Sequence, residues 1–476
     1  EQVLGEGTFA VVYKGLDVKE CRNVAIKVYK GSDEQVTDMF KKSIEVLKTL
    51  GRHGRNSLRE SLMAGESSCN TGRSLSSYTS EEEPKKVEEE ERPRGMLLSP
   101  RRVAEEPSKQ SPRKQMGPEA EKSFFPRQLS PQTASSDRSS SIRPVDSPML
   151  TPRLEDRGCA NRSSFQSTLL EEDLQTISDQ DGKFHNAISI LSMMDWGRCF
   201  VKLLSHSRTS SLEPGLDPTH DVYFLVFELG EGSLEDTLTE CSENNKTLTV
   251  PELRDLQWAL VSIVCGLHSE GFVHLDIKPR NIMKFKEPCA VKGGNPSEYW
   301  KLIDLDGAMR TGQTVSFEEL VFTPEYVSPE LAKAHTTLAY NRRLERQNSK
   351  KDEQLKLSRL MDIWSVGMCA LEAIFLQPVL EPWYQEWRND TGTDEKFFRW
   401  LADYETDAVI SGDMRDAIAD IDGEMCAMLE GMLAKDPQKR VCVAHCITHR
   451  WFQPIRDKIL EELRQTNMFA PTVSAE

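Results

Sequence analysis

Between residue 51 and about residue 182 the chain turns polar. Ser, Pro, Arg and Glu dominate, aromatic residues are sparse, and an acidic run, EEEPKKVEEEE, occupies 81–91. Such a segment cannot bury enough apolar surface to offset the entropy of ordering its backbone, so 51–182 is expected to be a disordered insertion. Any fold must then be built from the two flanks, brought together across it. In residues 1–50, the alternating stretches VVYKGL and NVAIKVYK predict paired strands. VTDMFKKSIEVLKTL follows with helical period. Beyond 183, FVKLLSH and DVYFLVFEL read as strands, and LRDLQWALVSIVCGLHSEG as a helix stopped by glycine. The remainder, to about 465, reads mainly as helix. An α+β fold is expected, a small strand-rich portion followed by a larger helical one.

Bulk composition agrees with a partly non-globular chain. Hydrophobic residues make up 38% of the 476, and the net charge is −16; mean hydropathy is −0.52. That acidity argues against nucleic acid as a partner, because phosphate contacts need a basic surface. No apolar run reaches the ~18–20 residues of a membrane-spanning helix. The eleven cysteines are scattered. Cys442 and Cys446, with His445 and His449 nearby, lack a second ligand pair and read as residues of a late helix rather than a zinc site. A reducing, intracellular location, cytoplasmic or nuclear, is expected. Glu1 stands directly before a glycine turn, so a longer chain with a missing N-terminus is expected.

The polar stretch carries hydroxyls followed by proline at Ser99, Ser111, Ser130, Ser147 and Thr151. These suit an upstream proline-directed kinase, each phosphate altering the local charge. A Ser/Pro-biased linker with chance matches explains them equally well.

Chemistry concentrates in three places. FVHLDIKPRNIM (272–283) sets Asp276, Lys278 and Asn281 in one short loop: a base, a cation and a metal-coordinating amide, as phosphoryl transfer requires. LGEGTFAVV holds Gly5 and Gly7 in a strand–turn–strand, where missing side chains let backbone N–H groups approach phosphate. VAIK then places Lys27 within an apolar strand, costly to bury without a negative partner.

With HLDIKPRN joined by KLIDLDG, TPEYVSPE, DIWSVG and AKDPQKR, the sequence resembles the eukaryotic protein kinases over 1–50 and about 183–455. The resemblance implies a bilobal kinase-like fold. Its small β-rich N-lobe would comprise 1–50 and 183–230, the latter including the hinge. The helical C-lobe would span 231–465, with 466–476 a tail. It implies ATP and Mg2+ as cofactors and a protein as substrate. Asp276 would take or orient the substrate hydroxyl proton, and Lys278 would balance charge on the moving phosphoryl group. Asn281 and Asp304 would hold magnesium. Lys27 would grip the nucleotide phosphates beneath the turn of Gly5, Glu6, Gly7 and Thr8. Val12, Ala25, Phe227, Glu228 and Leu229 would line the nucleotide pocket and hinge. Asp362 would brace the catalytic loop, and Glu330 would pair with Arg440. Lys278 together with Thr323 matches the serine/threonine class.

The chain departs from that family at several points. Ala10 replaces the third glycine of the turn, Leu275 an arginine (HLD for HRD), and Asp306 a glycine (DLD for DFG). Asp306 is expected to restrict movement of its loop. The family pairs its strand lysine with an inward glutamate on the next helix. Here the apolar stripe is Val36, Met39, Phe40, Ile44, Leu47 and Leu50; stepping about 100° per residue puts Ser43 on it and Glu45 nearly opposite. Glu45 on a rotated helix, or an acid not yet placed, would have to serve. The segment 183–194 repeats the pattern at a constant offset of 144, with Ala187 in the Ser43 slot. It is either an alternative copy of the helix or a coincidence of amphipathic pattern. Between Glu330 and Asp362, NRRLERQNSKKDEQLK reads as a charged, solvated surface helix, with partner docking as the other reading.

Two functions fit: an active ATP-dependent serine/threonine kinase, or a pseudokinase acting as a nucleotide-binding or allosteric scaffold. Retention of Lys27, Asp276, Asn281 and Asp304 favours the first.

Overall fold

The structure, a computed structural model, describes residues 2–52, 196–287, 297–317, 320–344, 354–406 and 408–468. Nearly all of the expected insertion, the Ser/Thr-Pro sites and the second helix-like segment lie outside the described residues.

The first flank forms strands β1 (Gln2–Glu6), β2 (Ala10–Asp17) and β3 (Arg22–Tyr29), then helix α1 (Glu34–Arg52). After the insertion come β4 (Leu203–His206) and β5 (Phe224–Glu228), which complete a five-stranded sheet in the order β1-β2-β3-β5-β4. Every pairing in it is antiparallel. The sheet is thus assembled from both flanks, with β5 adding directly to the β3 edge so that Lys27 sits opposite Leu225.

Helix α1 begins where the Asp33 carboxylate accepts from Val36 N–H at 2.9 Å, satisfying an otherwise orphaned donor. Its apolar face is the one the sequence predicts: Val36, Phe40, Ile44, Leu47 and Leu50 are buried, and so is Ser43. Phe40 packs on Tyr29 and Tyr223, joining the helix to the sheet. Further along, Val46, Leu47 and Leu50 enter the large core beside Cys199, Phe200 and Val201. One helix therefore contributes to both hydrophobic cores.

The helical portion is organised around α3 (Val250–Ser269) and α5 (Arg359–Phe375), whose buried faces dominate the larger core. Helix α2 (Leu234–Glu243) and α3 both start with reciprocal capping boxes, Ser233 with Asp236 and Thr249 with Glu252. A small sheet of β6 (Gly232–Ser233), β8 (Ile282–Glu287) and β9 (Ser297–Leu302) lies beneath the hinge, and β7 (Phe272–Val273) pairs with β10 (Met309–Arg310).

The charged segment before Asp362 is only partly helical. Helix α4 runs Pro329–Leu344, but Gln354–Lys356 forms strand β12, antiparallel to β11 (Thr314–Ser316). The two-residue spacing of Leu355 and Leu357 decides this. Leu355 pairs with Val315, and Leu357, fully buried, exchanges backbone hydrogen bonds of 2.9 Å with Gly312 and Gln313.

Two acids, the half-buried Glu330 and the buried Glu372, fasten the segment after Thr323 to the helices. Glu330 accepts a bidentate pair from Arg440, at 2.8 and 2.9 Å, as expected. Arg440 also donates to the carbonyls of Ala434, Leu360 and Lys435. Removing one partner of a buried pair strands the other charge. Arg440→Ala is therefore expected to destabilise the fold by about 3–5 kcal/mol, measured by chemical or thermal unfolding, with Arg440→Lys recovering only part.

Tyr326 donates its hydroxyl to Glu372 on α5. Burial raises this carboxyl to about 7, against the opposing effect of the tyrosine hydrogen bond. The folded state thus retains a proton that the unfolded chain loses above about pH 4.5, and stability falls as pH rises from there to about 7. Glu372→Gln should remove a penalty on the order of 2–3 kcal/mol, so its gain in melting temperature over wild type should be larger at pH 8 than at pH 5.

Candidate active site

The loop between β7 and β8 is held by one carboxylate. Asp362, fully buried in the first turn of α5, accepts from the backbone N–H groups of His274 (2.9 Å) and Leu275 (2.9 Å) and lies 3.0 Å from His268 Nε2. Leu275 adopts a left-handed backbone, φ +70°, which costs a non-glycine residue energy unless its surroundings enforce it. Asp362 supplies that enforcement, as expected of it, and the buried Leu275 side chain adds to it.

The bend turns Asp276 into the cleft. Thr323 donates to Asp276 Oδ1 at 2.7 Å, and Lys278 Nζ lies 2.8 Å from Asp276 Oδ2 and 2.6 Å from Thr323 Oγ1. Base, ammonium and hydroxyl form a closed triangle. Asn281, buried, donates its amide N–H to the Asp276 carbonyl at 2.9 Å, which leaves the amide oxygen as the atom suited to a cation. Its own carbonyl accepts from Ile303 N–H at 2.9 Å and ties this loop to the strand that leads into Asp304.

Asp304 also has a left-handed backbone, φ +60°. Its Oδ1 lies 2.5 Å from Lys27 Nζ, and Asp306 Oδ2 lies 2.8 Å from the same nitrogen. Burial opposes the charge of Lys27, but the two carboxylates more than offset this and hold the ammonium above the usual lysine range. Lys27 in turn holds the Asp304 carboxyl below the ordinary carboxylate range. The expected alternative does not form: Glu45 is exposed and faces Arg310 at 3.7 Å, on the side of α1 away from Lys27. The acid left unplaced by sequence is Asp306, which replaces a glycine two residues beyond Asp304.

The glycine turn closes through Gly7 N–H to the Ala10 carbonyl at 2.8 Å, with Thr8 exposed at its tip. A side chain at Gly5 would meet no atom within 4 Å, and one at Gly7 only the Ala10 carbonyl at 3.7 Å; the glycines therefore leave the backbone bare rather than relieve a clash. Lys30 Nζ fixes the turn from below, 2.6 Å from Glu6 Oε1 and 2.9 Å from the Gly7 carbonyl. Val12 is the cross-strand neighbour of Lys27, and Ala25 that of Phe227. Phe227 packs against both cores.

Glu228 does something its sequence position did not suggest. Its carboxylate accepts from Lys202 N–H at 2.8 Å and from the buried Lys301 of β9, fastening the hinge to the small sheet. Its own N–H is spent as well, on the Lys202 carbonyl at 3.2 Å. The signal for this contact was a lysine in the apolar context of YWKLI, which needs an acid once buried.

A family model described as protein kinase domain matches residues 173–452, which leaves the glycine turn and Lys27 outside the match. The smooth muscle myosin light chain kinase of Gallus gallus is 29% identical over 187 residues, covering 39% of this chain and 8% of that protein. A solved chain of the CAK complex of Chaetomium thermophilum bound to ATP-gamma-S aligns over 95% of this chain and 90% of its own, at 15% identity and TM-score 0.46. With the family model matching more than half of its length, the chain belongs to the protein kinase domain family.

Proposed function

We propose that the chain is a catalytically active kinase that transfers the γ-phosphate of ATP to serine or threonine hydroxyls of protein substrates. The observation that carries this reading is the closed triangle of Asp276, Lys278 and Thr323. Asp276 is positioned to accept the proton of an incoming hydroxyl, and Lys278 to balance the charge that develops beside it. A lysine two residues after the base, joined to a threonine hydroxyl, supports the serine/threonine class. An intracellular setting, and an upstream proline-directed kinase acting on the 51–182 stretch, are parts of the same proposal.

The donor set suits magnesium. Asp276, Asp304 and Asp306 outnumber Lys27 and Lys278, so the site carries excess negative charge, and the Asn281 amide oxygen adds a neutral ligand. Asn281 and Asp304 would hold the ion, which when bound would neutralise phosphate charge. Lys27 would contact the phosphates and keep them aligned, beneath the turn of Gly5–Thr8, whose Gly7 N–H is spent on the Ala10 carbonyl. Transfer of this kind depends mainly on alignment and charge stabilisation, and the chain's own residues supply both.

One observation favours the scaffold reading. The lysine that should meet phosphate is already engaged by two carboxylates. The two readings separate on Asp276→Asn. In the active kinase, this substitution should reduce magnesium-dependent phosphate transfer from ATP to a generic serine/threonine substrate by about 10²–10⁴-fold, while Mg-ATP still raises the melting temperature. Equal transfer by both proteins, or stabilisation by Mg-ATP without turnover in either, would favour the scaffold.

A further inference from the structure

The Lys27 side chain, in a strand, is only 13% exposed, and an ammonium so far removed from water requires a counter-charge that stays in place. Its two neighbours are not equivalent. The Asp304 side chain is 46% exposed, opens towards the cleft, and is needed for the cation in the proposed reaction; the Asp306 side chain is 11% exposed. Both Asp306 oxygens are occupied: Oδ2 faces Lys27 at 2.8 Å, while Oδ1 accepts from the Tyr29 hydroxyl at 3.1 Å and lies 2.7 Å from Ser43 Oγ. Ser43 is also 2.8 Å from the Met39 carbonyl, so its single proton serves one acceptor at a time. Helix α1 offers Lys27 no acid, because its inward position is Ser43 and Glu45 faces Arg310.

We infer that Asp306 is the permanent counter-ion of Lys27, a positioning residue that holds the ammonium in the cleft when Asp304 turns to its ligand, with Ser43 and Tyr29 fixing the orientation of its carboxylate. The inference rests on the proposed function for its kinetic consequences, but not for the charge pairing itself. It also moves the lysine's anchor from a helix to a loop. The metal ligand and the counter-ion then lie two residues apart, and helix α1 contributes only a neutral hydroxyl.

The test uses the full chain with Asp306→Asn, Glu45→Gln and the exchange variant Asp306→Gly/Ser43→Glu, in which the vacated volume accommodates the longer side chain. The first readout needs no turnover. The acylation rate of Lys27 by an amine-reactive reagent at pH 8, followed by peptide mass spectrometry, should rise several-fold in Asp306→Asn and stay unchanged in Glu45→Gln. The second readout is kinetic: Asp306→Asn should raise KM for ATP and lower kcat/KM by about 10²-fold, and the exchange variant should recover most of that loss. A merely structural role would lower the melting temperature and the active fraction without moving KM. Unchanged Lys27 reactivity in a folded Asp306→Asn protein, or a lysine made equally reactive by Glu45→Gln, would overturn the inference. If the wild type transfers no phosphate, the proposed function fails, yet the acylation result still decides the pairing.

Discussion

The arrangement of the cleft depends on Asp362. This carboxylate is wholly buried, yet it lies near two backbone N–H groups and a histidine ring, so its desolvation is offset by several hydrogen bonds to one loop. Those bonds keep Leu275 in a conformation it would leave if free. Without the left-handed turn at Leu275, Asp276 would not face Thr323 and Lys278, and Asn281 would lose the carbonyl that orients its amide. The Asp276 side chain is 14% exposed, but its position is set by atoms in the driest part of the protein.

The same division recurs across the molecule. Arg440, Lys301 and Lys435 are buried charged residues, and each donates to protein partners: Arg440 to carbonyls and Glu330, Lys301 to Glu228, and Lys435 to the Trp400 carbonyl and the Thr406 hydroxyl. Arg440 ties the segment after Thr323 to the helices, and Lys301 ties the hinge to β9. Single partners of such pairs are costly to remove, which makes them strong specifiers of geometry even where their net contribution to stability is small. Phosphoryl transfer is sensitive to misplacement by fractions of a bond length, so buried polar clamps at the hinge and beyond Thr323 are where this fold needs them.

Much of this was legible in the sequence. Alternating apolar residues gave the strands of both flanks. The 3.6-residue stripe of α1 correctly put Ser43 inside and Glu45 outside, and short motifs located the loop that joins Asp276 to Asn281. What could not be read were contacts between residues far apart in the chain whose types allow several partners. Lys301 could be seen to need an acid, but Glu228 had already been allotted to the nucleotide. The strand at Gln354–Lys356 was hidden by the charged residues around it, because its reason for pairing, the buried Val315, lies on another strand. Asp306 was visible only as a lost glycine. Its meaning depends on a cross-chain geometry that brings it to Lys27, 279 positions away.

Leu275 and Asp306 together bear on how such a cleft could be controlled. Leu275, where the family resemblance places an arginine, carries no charge that could pair with a phosphate and is buried against the core. With an acid on α1, rotation of that helix would make or break the lysine's pairing; here α1 presents Ser43 and contributes to both cores, so its rotation would disturb packing while removing only a hydroxyl contact. The short run from Asp304 to Gly307 instead carries both of the carboxylates that hold Lys27. Asp306 has an ordinary backbone conformation, and the strain sits at Asp304 instead, with φ +60°. A movement that relaxed Asp304 would carry Asp306 with it, so both carboxylates would leave Lys27 in one event rather than two.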